Sequence, residues 1–420
     1  MKNNKLLHSK HKIYFVSSYN YLNLPVFLPV MTRLEEMGLD TVLFNFRGNS
    51  QLPEAYPVGS LRPYRELPLQ LEPRYSQGRG YKATLLMKMI SNYRLIHRFI
   101  KTERPSAVVV GSDLGNIHIR FLMDACWQYR IPVFVLYNCD IPAGLADPKA
   151  REFCRLSPKA ASSFGAGLRF LRAVFFEDHI PGRYHPTATI CVMSEDVRGR
   201  LIQHGIQPER VVATGMPAGA DTIEKDALFR RLQIPEQARV IAYFSGPVGE
   251  IFGIERETEV MNHLRTMVEN LPEEVYLVVK IHPRESRSNE MLLNQIFNSP
   301  RCRVIKSVSA EDLIPCVELL IGDFSRILIT AAIVGKRFLS INPWDDPRSL
   351  LVGPEKDILE IQSLKNLNVM VRMAFDDSDF RRKVAQTCAA VGKRYSLCLK
   401  GDSTAAIASQ IYSNLIHLRQ

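Results

Sequence analysis

Residues 275–285 read VYLVVKIHPRE, and residues 317–336 read VELLIGDFSRILITAAIVGK. Each is an apolar run that ends in a polar turn, the pattern of a strand covered on both faces in a parallel sheet. In the second stretch the turn GDFSR passes straight into another apolar run, so a strand hands over to a buried helix. Open parallel sheets collect ligands outside the carboxyl ends of their strands, where helix N-termini aim N–H groups at anions. The two turns together predict a phosphate-bearing ligand.

The residues at these turns supply a candidate binding set. Asp323 or Ser325 can cap a helix that begins near Arg326, Gly335 can end it, and 337–341 supplies the next strand. That helix N-terminus, the Ser325 hydroxyl and the Arg326 guanidinium are all suited to a phosphate. His282 follows the first strand, Pro283 stiffens its exit and Arg284 adds a cation. A third loop, SGPVGE after the strand at 240–244, contributes Ser245 and Gly246, which let backbone approach a phosphate closely. Taken singly, the helix reads equally as a capped core helix, such a histidine is more often structural than a ligand contact, and a lone Ser-Gly-Pro turn is weak evidence. Two cation-bearing strand ends in one half favour phosphate binding.

Outward from this region, strands are expected at 13–18, 41–46, 107–111, 133–137, 189–193, 211–214, 240–244, 275–281, 303–305, 317–322 and 338–341, with helical patterns between most of them. A helix is expected over 28–37, with Pro29 in its first turn. Residues 47–80 hold five prolines, five arginines and three tyrosines and read as an irregular surface excursion. Residues 81–101 place Leu85, Met89, Tyr93, Ile96 and Ile100 on one face of an amphipathic helix, which reads as a sheet cover ahead of a membrane-surface helix. TGMPAGAD at 214–221 reads as a hinge. The fold class is therefore α/β, with two Rossmann-like doubly wound domains facing a cleft, over 1–218 and 219–420, and terminal helices packing back across.

The chain has 420 residues, 46% of them hydrophobic, enough for two ordinary cores. A net charge of +11 points to an anionic partner. Basic residues are interleaved with acids and no nucleic-acid recognition motif is present, so nucleic acid is not expected. The eight cysteines form no CxxC pair or zinc-like spacing and read as reduced thiols of a cytoplasmic protein. The basic N-terminus precedes a run broken by Ser17, Ser18, Asn20 and Asn23, so neither a signal peptide nor a membrane span is expected. Any membrane role would be peripheral contact with an anionic surface. Asp377 and Asp379 form the one DxD match, read as a helix cap ahead of FRRKVAQ rather than a metal site.

At residues 189–341 the sequence resembles GT-B-type transferases, particularly CDP-glycerol glycerophosphotransferases and, more distantly, bacterial sialyltransferases and polysialyltransferases. Lys280, His282 and Pro283 match a Lys-x-His-Pro turn, while Asp323, Phe324, Ser325, Gly335 and Lys336 match an Asp-aromatic-Ser-Ser turn and the Gly-Lys that ends its helix. Gly215, Pro217 and Asp221 resemble an interdomain Gly-x-Pro-x-x-x-Asp. Arg326, Thr330 and Arg337 depart from the pattern, standing where a second Ser, an acidic residue and a Pro are usual. The resemblance implies a metal-independent, inverting glycosyltransferase without a cofactor, using a nucleotide-activated donor and a glycan or lipid-linked acceptor in capsule or other cell-surface polysaccharide synthesis.

In this architecture the second domain holds the donor and the first supplies acceptor and general base. Asp140 in YNCDIP and Asp113 in GSDLGN are the candidate bases, each also readable as a turn or helix cap. Three alternatives stay open: a CDP-glycerol-type glycerophosphotransferase, an enzyme like UDP-N-acetylglucosamine 2-epimerase, and a catalytically silent nucleotide-sugar-binding protein.

Overall fold

The computed structural model describes residues 11–18, 24–47, 64–69, 81–112, 117–137, 165–175, 180, 182–217, 224–246, 248–282, 287–306, 308–323, 326–346, 349, 351, 353–395 and 403–417. They divide into two compact units at 218/219, with the last helix returning to the first unit.

The first unit alternates β1 (Lys12–Ser18), α1 (Leu24–Glu36), β2 (Asp40–Arg47), β3 (Tyr64–Pro68), α2 (Tyr81–Glu103), β4 (Ala107–Val110), α3 (Ile117–Gln128), β5 (Val133–Tyr137), α4 (Ala166–Phe175), β6 (Thr189–Val192), α5 (Glu195–Gln203) and β7 (Val211–Ala213). Its seven strands lie in the order β3-β2-β1-β4-β5-β6-β7, and every pairing is parallel. β4 and β5, AVVV and VFVLY, are buried at every position. Continuous apolar runs of this kind suit strands with both faces covered by helices.

Two expectations need correcting here. Residues 47–80 contain β3, which pairs with β2 from Leu43↔Tyr64 to Arg47↔Pro68. At the sheet edge a proline can be accommodated without breaking an inner ladder, so YRELP forms a strand despite its composition. α1 begins at Leu24 instead of near residue 28, and Pro29 lies inside it. Pro25, at the second helical position, takes the role expected of Pro29, because an N–H there has no intrahelical acceptor to lose.

The second unit runs through α6 (Lys225–Leu232), β8 (Arg239–Phe244), α7 (Val248–Phe252), α8 (Ile254–Glu269), β9 (Val275–Lys280), α9 (Arg287–Ile296), β10 (Cys302–Ile305), α10 (Ala310–Leu313), β11 (Leu319–Gly322), α11 (Arg326–Ile333), β12 (Arg337–Ile341), α12 (Pro354–Leu359), β13 (Glu360–Ile361), α13 (Leu367–Asp376) and α14 (Ser378–Arg394). Strand order is β10-β9-β8-β11-β12-β13, again parallel throughout. Counted from its own first strand this is 3-2-1-4-5-6, the doubly wound order whose crevice opens between strands 1 and 4. The same reversal lies between β1 and β4 in the first unit.

Asp377 caps α14, its Oδ1 accepting from the N–H groups of Asp379 and Phe380 at 2.8 and 2.9 Å. The DxD match is therefore a helix cap, as expected. Gly392 brings α14 against α11: a Cβ there would lie 2.4 Å from the carbonyl oxygen of Ala332. The final helix, α15 (Ser403–His417), packs on α1, so the first unit is not closed at residue 218. Among the described residues, no helix is long and apolar enough to cross a membrane.

Candidate functional site

The crevice of the second sheet opens between the carboxyl ends of β8 and β11, where Phe244 lies opposite Gly322. On the other side of β8, Phe244 lies opposite Lys280 at the end of β9. The three loops expected to form the cradle leave β9, β8 and β11, which are adjacent in the sheet, with the β8 loop between the His282 and Asp323 turns.

Backbone geometry ties those loops together. Asp323 is buried, and its Oδ2 accepts from the Gly246 N–H at 2.9 Å and from the Tyr243 hydroxyl at 3.1 Å. A Cβ at residue 246 would lie 2.8 Å from that same oxygen, so the close approach requires glycine. Ser340, on β12, donates its hydroxyl to the Asp323 carbonyl at 3.3 Å. On the opposite flank the Ser245 N–H donates to the Lys280 carbonyl at 3.1 Å, and Ser245 Oγ accepts from the His282 N–H at 2.8 Å. One loop is therefore bolted to both neighbouring turns.

The lysines of both motif matches are spent on the scaffold. Lys280 is buried, and its Nζ donates to the carbonyls of Ile281 and Lys306 at 3.1 and 3.0 Å, which ties the ends of β9 and β10 together. Lys336 Nζ donates to Pro315 and Val317, carbonyls ahead of β11, and burial pushes its ammonium below its ordinary value. Arg337, a departure from the family pattern, has a structural role too. Its Nη2 meets Glu318 Oε1 at 3.0 Å and its Nη1 donates to the Ala374 carbonyl at 2.6 Å.

An aromatic pair frames the same end of the sheet. Phe252, at the end of α7, and Trp344, beyond β12, have ring centroids 4.4 Å apart, and the Arg256 guanidinium lies 5.9 and 5.8 Å from the two rings. These segments follow the strands on either side of β11, so their contact bridges the strand that leads to α11.

Ser245, Gly246, His282 and Asp323 are thus brought together. Arg326 is the first residue of α11, and its side chain lies outside the described residues, as do Arg284, Ser325, Asp113 and Asp140. Sequence reading missed Tyr243, Ser340 and the Phe252–Trp344 pair. Tyr243 and Ser340 read as ordinary strand positions, and nothing in either run signals a bond to Asp323. Among the described residues, no group of three or more His, Cys, Asp and Glu side chains is placed to hold a metal ion.

No protein-family profile matches the chain, and no curated protein does. Solved structures do. UDP-GlcNAc 2-epimerase from Neisseria meningitidis, solved with UDP-GlcNAc bound, superposes with a TM-score of 0.64 at 15% identity, covering 96% of this chain and 100% of its own. The glycotransferase of kitacinnamycin gives 0.60 at 12%, with 96% and 98% covered, and a glycosyltransferase from Rickettsia africae gives 0.55 at 11%, with 97% and 100% covered. The chain has a GT-B fold. Matches of this length extend over both units. The specific resemblance to CDP-glycerol transferases and sialyltransferases rests on the sequence motifs alone.

Proposed function

We propose that the chain is a metal-independent, inverting glycosyltransferase that moves a sugar from a nucleotide-activated donor to a hydroxyl of a glycan or lipid-linked acceptor, in cell-surface polysaccharide synthesis. The observation that carries this reading is the Gly246–Asp323 bond at the crevice of the second sheet, which sets a glycine loop beside the N-terminus of α11. Neighbouring GT-B structures include transferases, and the Neisseria meningitidis protein was solved with a nucleotide sugar. Cys126, Cys191, Cys302 and Cys388 are buried thiols outside any disulfide, which fits a reducing, cytoplasmic setting.

In this reading the donor diphosphate lies at the α11 N-terminus, met by Ser325, Arg326, His282 and Arg284. Asp140 or Asp113 takes the proton from the acceptor hydroxyl as its oxygen bonds to the anomeric carbon. The bond from that carbon to the phosphate oxygen breaks, and the nucleoside phosphate leaves with its new charge held by helix N–H groups and cations.

A second reading, epimerisation of the nucleotide sugar, is favoured by the TM-score of 0.64. Against it, α11 reads RILITAAI and carries no carboxylate. Thermal denaturation with UDP, CMP and CDP compounds tests donor binding, since a ligand at about 100 times its Kd adds about 2.7 kcal/mol. Product analysis then separates the readings: a transferase leaves the donor sugar unchanged without acceptor, whereas an epimerase changes it. Stabilisation by none of these nucleotides sinks both.

A further inference from the structure

The outer layer of the first domain holds a surface that the donor site does not use. α4 rides on α2 and α3: the Phe170 ring lies 5.4 Å from Tyr93 and 5.7 Å from Phe121, and Arg120 Nε donates to the Ala173 carbonyl at 2.7 Å. With Phe170 and Ala173 turned inward, Leu168, Leu171 and Phe175 turn outward, 54%, 46% and 64% exposed. This short helix therefore carries apolar side chains on both faces, where an outer helix of a water-surrounded domain presents polar ones. On α2 the exposed stripe runs through Met87, Ser91, Arg94, Arg98 and Lys101 at helical spacing. Among the described residues of the first domain, every exposed large apolar side chain is on α2 or α4.

Charge decides what covers this face. Across α2, α3 and α4 the only carboxylates are Asp124 and Glu103. Asp124 is sealed inside, accepting from the Tyr93 hydroxyl at 2.6 Å with His97 Nε2 at 3.2 Å and Arg169 Nε at 3.5 Å. Glu103 accepts from the Tyr14 hydroxyl at 2.6 Å. On α2 the exposed charges are the cations Arg94, Arg98 and Lys101, which share its outer stripe with exposed Met87, and on α4 the exposed side chains include Leu168, Leu171 and Phe175. A polynucleotide would meet the cations and leave Leu171 and Phe175 in water, while an apolar protein partner would leave the cations without counterparts. A bilayer with anionic headgroups satisfies both, apolar side chains entering the headgroup boundary and cations lying among the phosphates.

We propose that the α2/α4 face docks the first domain onto an anionic bilayer. This stands independently of the donor site. Flotation of the full chain with mixed phosphatidylcholine–phosphatidylglycerol vesicles, and with phosphatidylcholine alone, tests it. The protein should float with the mixed vesicles only, less so as salt rises. Arg94→Gln with Arg98→Gln should lower partitioning about 30-fold, taking about one unit of headgroup attraction from each cation. Leu171→Ser with Phe175→Ser should abolish flotation while leaving the melting temperature unchanged, because both side chains already face solvent. Failure of the unaltered protein to float, or flotation that neither pair weakens, overturns the proposal. So does a dimer in vesicle-free solution that the Leu171/Phe175 pair dissociates, since that would give the face to a second copy of the chain.

Discussion

The Gly246 N–H donates to Asp323 Oδ2 at 2.9 Å, and a methyl group at residue 246 would lie 2.8 Å from that oxygen. The Asp323 carboxylate thus works as the latch of the neighbouring β8 loop. Gly246→Ala should push the β8 loop off Asp323 and abolish stabilisation by nucleotide with little loss of basal melting temperature. Asp323→Ala should do more, leaving the Gly246 N–H and the buried Tyr243 hydroxyl without this acceptor at about 1–3 kcal/mol for each group. Urea unfolding with and without nucleotide separates the two variants, and full nucleotide stabilisation of Gly246→Ala would contradict the latch.

Gly392 sets the position of α11 from behind. Because the obstacle to a side chain is backbone, the Ala332 carbonyl at 2.4 Å, the helices cannot relieve it by a rotamer change. Gly392→Ala should therefore destabilise by about 1–3 kcal/mol even though alanine is the better helix former. A variant as stable as the parent would show that α14 can slide on α11.

Acid should weaken the first domain through two histidines. Burial holds His118 down to about 4, and burial with the Arg210 and Arg172 charges holds His185 down to about 3. In the unfolded chain both titrate near 6.5. As pH falls below that value the unfolded state takes up protons that the folded state refuses, so stability drops until about pH 4 for one and about 3 for the other. Near pH 5 the pair contributes a slope of roughly 2–3 kcal/mol per pH unit. Urea midpoints at pH 7, 6 and 5 should fall steeply, and His118→Gln with His185→Gln should flatten the decline.

Glu318 also loses its contribution in acid, at lower pH and because its charged form, not its neutral one, is the form held. Arg239 donates to it in a fork at 2.9 and 2.7 Å and Arg337 adds a bond at 3.0 Å, which holds its carboxyl below the ordinary 4.5. Its stabilisation is complete above 4.5 and is lost as pH falls through the depressed value. Glu318→Gln should lower the melting temperature at neutral pH, and the gap to the parent should close in strong acid. A gap that persists there would mean that packing, not charge, holds the trio together.

Much of the architecture was legible because inner strands of a parallel sheet are apolar throughout: 133–137 was bounded correctly, and 275–281 and 317–322 nearly so. β3 was not, since an edge strand needs no such run and YRELP ends in proline. The turn motifs found the right end of the second sheet, but not how it is held. Lys280 looked like part of the ligand pattern and instead clamps two carbonyls, while Tyr243, reading as a plain strand residue, reaches Asp323 eighty positions later. Local pattern reports periodicity and turns; it is silent on which distant polar atom a buried hydroxyl will meet. Asp377 was readable for the converse reason, because a cap acts within three residues.

α15 packs on α1, at opposite ends of the chain, with Ile407, Ala408 and Ile411 fully buried. During synthesis the entire second domain therefore leaves the ribosome before the helix that completes the first. The later-encoded domain can reach its native state first, while the first domain waits on residues 403–417, which are translated after it.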